Sequence, residues 1–195
     1  GALPPWAPST IMVPGEVFLS VGDAEELDSW IVRAREGDEG AFALVMRALY
    51  PPLFRVVFQM VPCREDVEEI LQESFFRFYR SLGRLRQGEN PFPFLRTIAV
   101  RRTYTHLQSR KIATVSLDDL PDNLTELSVV GVTMGVSDLY RWADTLPPKR
   151  RLVFLLREVE GVETAEVARM MGLREPTVRR HASIAAQEFR DRFGG

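Results

Sequence analysis

The chain has 195 residues, 45% hydrophobic and 27% charged, which suits one large domain or two small ones around a buried core. A formal net charge of −2 and a pI near 5.8 exclude a uniformly basic nucleic-acid binder. One cysteine (Cys63) and two histidines (His106, His181) exclude a disulfide framework and a dense zinc site. No uninterrupted apolar run reaches membrane-spanning length, and no charged segment followed by an apolar one opens the chain. No membrane insertion, no secretory signal and a cytoplasmic setting are therefore expected.

Residues 1–23, with Pro4, Pro5, Pro8 and Pro14 and little apolar period, read as an irregular arm. From Ala24 the pattern turns helical: Leu27, Trp30, Ile31 and Ala34 recur at spacings of three and four, and Gly37 stops the helix. Asp38 is placed to cap a second helix, which carries Phe42, Val45, Met46 and Leu49 and is expected to break at Pro51–Pro52. A further apolar run, Leu53 to Val61, ends at Pro62. The strongest period lies in Arg64–Leu82, with Val67, Ile70, Leu71, Ser74, Phe75 and Phe78 on one face and acidic or amide residues on the other. After Gly83 and a polar turn, a helix is predicted from Phe94 to about Arg110.

Residues 112–136 show no period and are expected to be a linker. Beyond it, helices are predicted over 137–145, 149–159, 163–171 and from Pro176 to about Phe193, separated by Pro147–Pro148, Gly161 and Gly172. Nothing reads as a strand. The fold class is all-α, two small helical domains (24–111 and 137–195) joined by the linker.

Charge is unevenly distributed. Residues 1–28 hold five acids and no base, and 112–138 repeat that balance; 86–111 hold six Arg/Lys against Glu89 alone, and Arg169–Arg192 six arginines against three acids. Two basic blocks framed by acidic ones localise any phosphate-binding surface. Within the last block, ETAEVARMMGLREPTVRRHASIAA has the layout of a helix-turn-helix: a short helix, a glycine turn, then a helix opened by proline. Thr177, Arg179, Arg180 and Ser183 fall away from the apolar Val178–Ala182–Ala185 stripe, where guanidinium groups are suited to guanine edges and phosphates. A plain helical hairpin with a solvated arginine face fits the same pattern.

Four segments then resemble, in order and spacing, bacterial RNA polymerase sigma factors of the extracytoplasmic-function (ECF) group. AREGDEGAFALVMRALYPPLFRVV (34–57) is similar to the family's opening helices, and REDVEEILQESFFRFYRSL (64–82) to its polymerase-binding stretch. FPFLRTIAVRRTYTHL (92–107) is similar to its promoter-melting stretch, and LPPKRRLVFLLREVEGVETAEVARMMGLREPTVRR (146–180) to its upstream-element reader. The resemblance implies sigma region 2 and region 4 domains. It implies docking of Asp66, Glu69, Gln72 and Glu73 on the β′ clamp helices of core RNA polymerase, with a second contact on the β flap. At the −10 element it implies capture of unstacked bases by Asn90, Arg96, Arg101, Arg102, Tyr104 and His106. At the −35 element it implies duplex reading by Arg174, Thr177, Arg179, Arg180 and Ser183.

The family's Phe-x-x-Trp-Leu pattern is contracted here to Phe92-Pro93-Phe94-Leu95, and its helix asparagine is replaced by Arg101. Its Gly-Thr-Val-Lys-Ser-Arg-Leu run reads Pro176-Thr177-Val178-Arg179-Arg180-His181-Ala182. Base preference therefore does not carry over. His181 is read as a surface or phosphate-contacting residue, and Phe92 and Phe94 as core. The resemblance further implies promoter DNA and an anti-sigma factor as partners, no cofactor, no metal and no catalysis. The alternative reading is a self-sufficient helix-turn-helix regulator with an N-terminal sensor or dimerisation domain.

Overall fold

The computed structural model describes residues 21–61, 63–86, 88–109, 127–129, 132–134 and 136–193. Residues 1–20 of the expected arm and 112–126, 130–131 and 135 of the expected linker lie outside them. Helix α1 (Val21–Arg35) turns Leu27, Ile31 and Ala34 inward. Gly37, at φ +95°, then reverses the chain, a conformation that favours glycine. Asp38 caps the next helix as expected: its Oδ1 accepts the Ala41 N–H at 2.9 Å, and its Oδ2 pairs with Arg33 at 2.5 Å. The cap hydrogen bond and Arg33 together hold the Asp38 carboxyl below its ordinary range.

Helix α2 (Glu39–Met60) corrects the expected break at Pro51–Pro52: one helix runs through both prolines. They lack the N–H groups that would bond the carbonyls four residues earlier. Leu49, Leu53, Val56 and Val57, all essentially inaccessible, bury a continuous stripe across the gap. By length and composition alone α2 is apolar enough to cross a membrane. Its apolar stripe is instead spent on α1, α3 and α4, which makes it the central core helix.

Helix α3 (Arg64–Ser81) buries the predicted face, with Ser74 donating to the Ile70 carbonyl at 2.6 Å. A 3₁₀ turn (Leu82–Arg84) ends it. Helix α4 (Pro91–Ser109) begins three residues before its predicted start. Asn90 accounts for the difference: its Oδ1 accepts the Phe92 N–H at 2.9 Å, so it caps a helix that has Pro91 in its first position.

Two three-residue strands, β1 (Leu127–Val129) and β2 (Val132–Met134), pair antiparallel with Ser128 opposite Thr133. They fall in the stretch expected as a linker, where the sequence offers no period. The remaining helices are α5 (Val136–Ala143), α6 (Pro148–Phe154), α7 (Thr164–Met171) and α8 (Glu175–Phe193). Trp142 is their wedge, edge-on to Phe154 at 4.9 Å and to Phe189 at 5.1 Å. Beneath it the buried Asp144–Arg151 ion pair ties the end of α5 to α6. Helix α6 widens into a π-turn (Leu155–Val159), where the Glu160 N–H reaches the Leu155 carbonyl five residues back. Gly172, at φ +64°, closes α7 and sets the angle to α8. Helix α4 also packs on α6 and α7, so the two units touch.

Candidate nucleic-acid and partner interfaces

The outer face of α3 is smaller than its acidic sequence suggests. Asp66 is turned inward, 5% exposed, with the His106 Nε2 at 3.4 Å from its Oδ2. Asp66, expected on the docking face, and His106, expected on the promoter face, thus meet each other between α3 and α4. Glu69 and Gln72 are exposed. Glu73 is half-buried and accepts from Arg77 Nε at 3.0 Å and Nη2 at 2.8 Å, while its other oxygen pairs with Arg102 of α4.

One residue on this stripe was not singled out from the sequence. Phe76 is 60% exposed, with the Arg80 guanidinium 5.8 Å from its ring centre. Its signal is a large apolar side chain four residues after Gln72 and seven after Glu69, off the core stripe.

Between α3 and α4 lies an open groove of about 660 Å³. Arg77, Arg80, Arg84, Arg101 and Arg102 line it, with Phe76, Phe94 and Ile98 as its apolar wall and Glu73 as its sole acid. Guanidinium groups beside aromatic faces bind a flexible phosphate strand and leave rings for base stacking. The turn that closes one end of the groove is pinned from α1. Asp28 accepts the Gly88 N–H at 3.0 Å, and Arg35 donates to the Leu82 carbonyl at 2.9 Å and to that of Leu85.

The predicted −10 residues divide into three groups. Arg102 lines the groove, and Tyr104 is half-buried with its hydroxyl accepting from Gln108 at 2.9 Å. Asn90 is engaged as a cap. Arg96 and Arg101 reach across to the second unit: Arg96 pairs with Glu166 at 2.7 Å, and Arg101 donates to the Met170 and Arg169 carbonyls at 2.9 and 3.1 Å. Phe92 is core, 4% exposed, as the sequence suggested.

On α8, Val178, Ala185 and Phe189 face inward while Arg174, Arg179, Arg180 and Ser183 are exposed and Thr177 is half-buried. Thr177, Arg179, Arg180 and Ser183 lie in the first half of α8, with Arg174 just before it. Arg179 is held extended by Glu175 at 2.6 Å. His181 sits beside it, its pKa lowered by partial burial and then by the charges of Arg150, Lys149 and Arg180, so it is neutral at neutral pH.

Residues 45–112 match the family described as Sigma-70 region 2, and residues 138–187 the one described as Sigma-70, region 4. The chain is 28% identical over 162 residues to the ECF RNA polymerase sigma-E factors of Salmonella typhimurium and Escherichia coli, covering 76% of this chain and 84% of each relative. It is 24% identical over 184 residues to the ECF RNA polymerase sigma factor SigE of Mycolicibacterium smegmatis, covering 90% of this chain and 65% of that one. Two solved structures share the fold. One is the sigma factor RpoE in complex with the anti-sigma factor NepR from Bartonella quintana (TM-score 0.59, 16% identity, 77% of this chain and 94% of that one). The other is CnrH in complex with the cytosolic domain of CnrY (TM-score 0.53, 14% identity, 83% and 93%). The N-terminal half thus has a region 2 match in place of a sensor module, and the helix-turn-helix a region 4 match. With both regions present in one chain and in this order, the protein belongs to the ECF group of the sigma-70 family and is a sigma factor.

Proposed function

We propose that this sigma factor joins core RNA polymerase through α3, melts the −10 element along α4 and the groove beside it, and reads the −35 element with α8. Residues 24–111 form the first working unit, 137–195 the second, and 112–136 the connection between them. The observation that carries the reading is the arginine-lined groove of α3 and α4, whose aromatic wall fits an unpaired strand better than a duplex.

Glu69, Gln72, Glu73 and Phe76 form the docking stripe. Carboxylate and amide groups around an exposed aromatic suit a cationic helical partner, and the β′ clamp helices supply one. The second unit bears on the β flap while α8 lies in the major groove. Melting trades lost base stacking for contacts in the groove, with Arg102 and Phe94 at its α4 wall. The chain has no catalytic role and acts in the cytoplasm, where an anti-sigma factor covers these same faces; the two solved neighbours, each held by such a partner or by a cytosolic domain, support that expectation.

Run-off transcription with core polymerase on a promoter library tests the reading. Discrete transcripts that need both the polymerase and this chain are expected. The absence of any such transcript, together with failure of the chain to co-elute with core polymerase, would overturn it.

A further inference from the structure

The walls of the groove come from α3 and α4, yet the end of one and the start of the other are both held from α1. Asp28 and Arg35 stand about two turns apart on one face of that helix, both half-buried. Arg35 donates from Nε to the Leu82 carbonyl at 2.9 Å and from Nη2 to that of Leu85, so one guanidinium grips the backbone on either side of Gly83-Arg84. Asp28 accepts the Gly88 N–H at 3.0 Å, where the glycine stands at φ +73° just ahead of Asn90, the α4 cap. Glu89 ties the same turn by accepting the Arg86 N–H at 2.9 Å.

These bonds exceed what burial of the turn requires. Leu82 and Leu85 are 2% and 6% exposed, and their apolar contact alone keeps the turn on the core. Such contact is non-directional: it fixes how deep the turn sits and leaves its register loose. A guanidinium on two carbonyls adds direction, since charge-assisted bonds are about twice as strong as neutral ones. Register here governs the groove. Arg84, between the two gripped carbonyls, lines it, and so do Phe94, Ile98, Arg101 and Arg102 of α4, the helix whose start follows Gly88 and Asn90.

We infer that Asp28 and Arg35 are positioning residues for strand capture: from behind the turn, without meeting the strand, they set the width of the groove at its turn end and with it the affinity and base preference for the melted strand. This rests on the proposed role of the groove. A groove held at one width separates bases by size and by the edge that meets its arginines. A groove free to widen accepts any base and must be ordered at each binding event.

Strand binding by holoenzyme tests this. Core polymerase saturated with the full chain is titrated into fluorescein-labelled oligo-dT strands that carry one dA, dC or dG at successive positions. Anisotropy is read with core polymerase alone as the baseline. Wild type should bind above the baseline and rank the bases. Arg35→Met, which keeps the aliphatic stem and loses the donors, should weaken binding about five- to tenfold and compress the ranking. Asp28→Ala should do the same to a smaller degree, and Asp28→Asn, which keeps an oxygen acceptor for Gly88, should restore both. Hydrogen exchange at the Leu85 and Gly88 amides should quicken in Arg35→Met and Asp28→Ala. Affinity for core polymerase should stay at the wild-type value, because neither residue lies on the docking stripe of α3.

A merely structural contact would lower the Tm and the folded fraction while the folded chains keep wild-type strand affinity and ranking, and that result would overturn the positioning role. A wild-type holoenzyme that binds every strand alike would overturn the base preference. If wild-type holoenzyme binds no better than core polymerase alone, the groove reading falls and this inference with it. If wild type ranks the bases and Arg35→Met ranks them equally well, only the inference falls.

Discussion

Truncating Phe76 to alanine isolates polymerase docking from folding, because the ring is mostly in water already. An aromatic side chain offers roughly 200 Å² of surface, so a ring that is 60% exposed still has about 120 Å² to bury. At about 25 cal/mol per Å², complete burial against a partner contributes up to about 3 kcal/mol, or roughly a hundredfold in affinity. Exposed apolar anchors seldom deliver the whole of this, so a loss of ten- to a hundredfold in affinity for core polymerase is expected. The fold should hardly notice, with a Tm within about 2 °C of wild type, since Arg80 is the ring's only described cation–π partner. Anisotropy of a labelled chain titrated with core polymerase measures the first quantity and a thermal melt the second. Wild-type affinity in a folded Phe76→Ala chain would refute the assignment of this stripe. Asp66→Ala provides the contrast: its carboxylate is buried, so it should cost about 1–3 kcal/mol of stability and report on folding before it reports on docking.

Four further outcomes follow from named contacts. Asp144→Ala leaves the Arg151 guanidinium buried without its countercharge and should cost about 3–5 kcal/mol, read as an earlier urea transition in the fluorescence of nearby Trp142; adding Arg151→Met should recover most of the loss. Asn90→Ala removes the α4 cap and should lower stability by about 1 kcal/mol in the same titration, whereas Asn90→Asp should keep it. Burial raises the Glu160 pKa, more than Arg96, Gln59 and Arg55 pull it back, so the folded chain holds that proton more tightly than the unfolded one. Its ionisation therefore opposes folding at neutral pH, and stability from this group rises as pH falls through the raised value toward 4.5. Glu160→Gln should show higher stability than wild type in neutral-pH urea titrations, with the gap closing toward pH 4.5. Arg179→Ala with Arg180→Ala should reduce the salt slope of holoenzyme binding to duplex promoter by about one to two, measured by anisotropy across a salt series.

Much of the architecture could be read along the chain because the apolar period is local information. Val67, Ile70, Leu71, Phe75 and Phe78 repeat at helical spacing, and all are buried in α3. Asp38 before α2 and Gly172 after α7 are short-range signals whose geometry followed. The reading failed where a local rule met a tertiary one. Pro51–Pro52 breaks an isolated helix, but the burial of Leu49, Leu53 and Val56 on three neighbouring helices outweighs two missing hydrogen bonds. At α4, Asn90-Pro91 is a cap followed by a first-turn proline, a local signal that sets the helix start at Pro91.

The same distinction governs the sites. On α8 the exposed positions of Arg179, Arg180 and Ser183 follow from spacing along a single helix. The α3 stripe was half legible: periodicity places Glu69 and Gln72 outward but cannot show that Asp66, one turn earlier, meets His106 from a different helix. Nothing local announces that Arg96 and Arg101 answer to Glu166 and to carbonyls about seventy residues away. Those two arginines have the composition of a promoter contact and the partners of a contact between the two units. A charge pattern in sequence specifies what a residue is able to bind, and the fold decides which of the competing anions reaches it first.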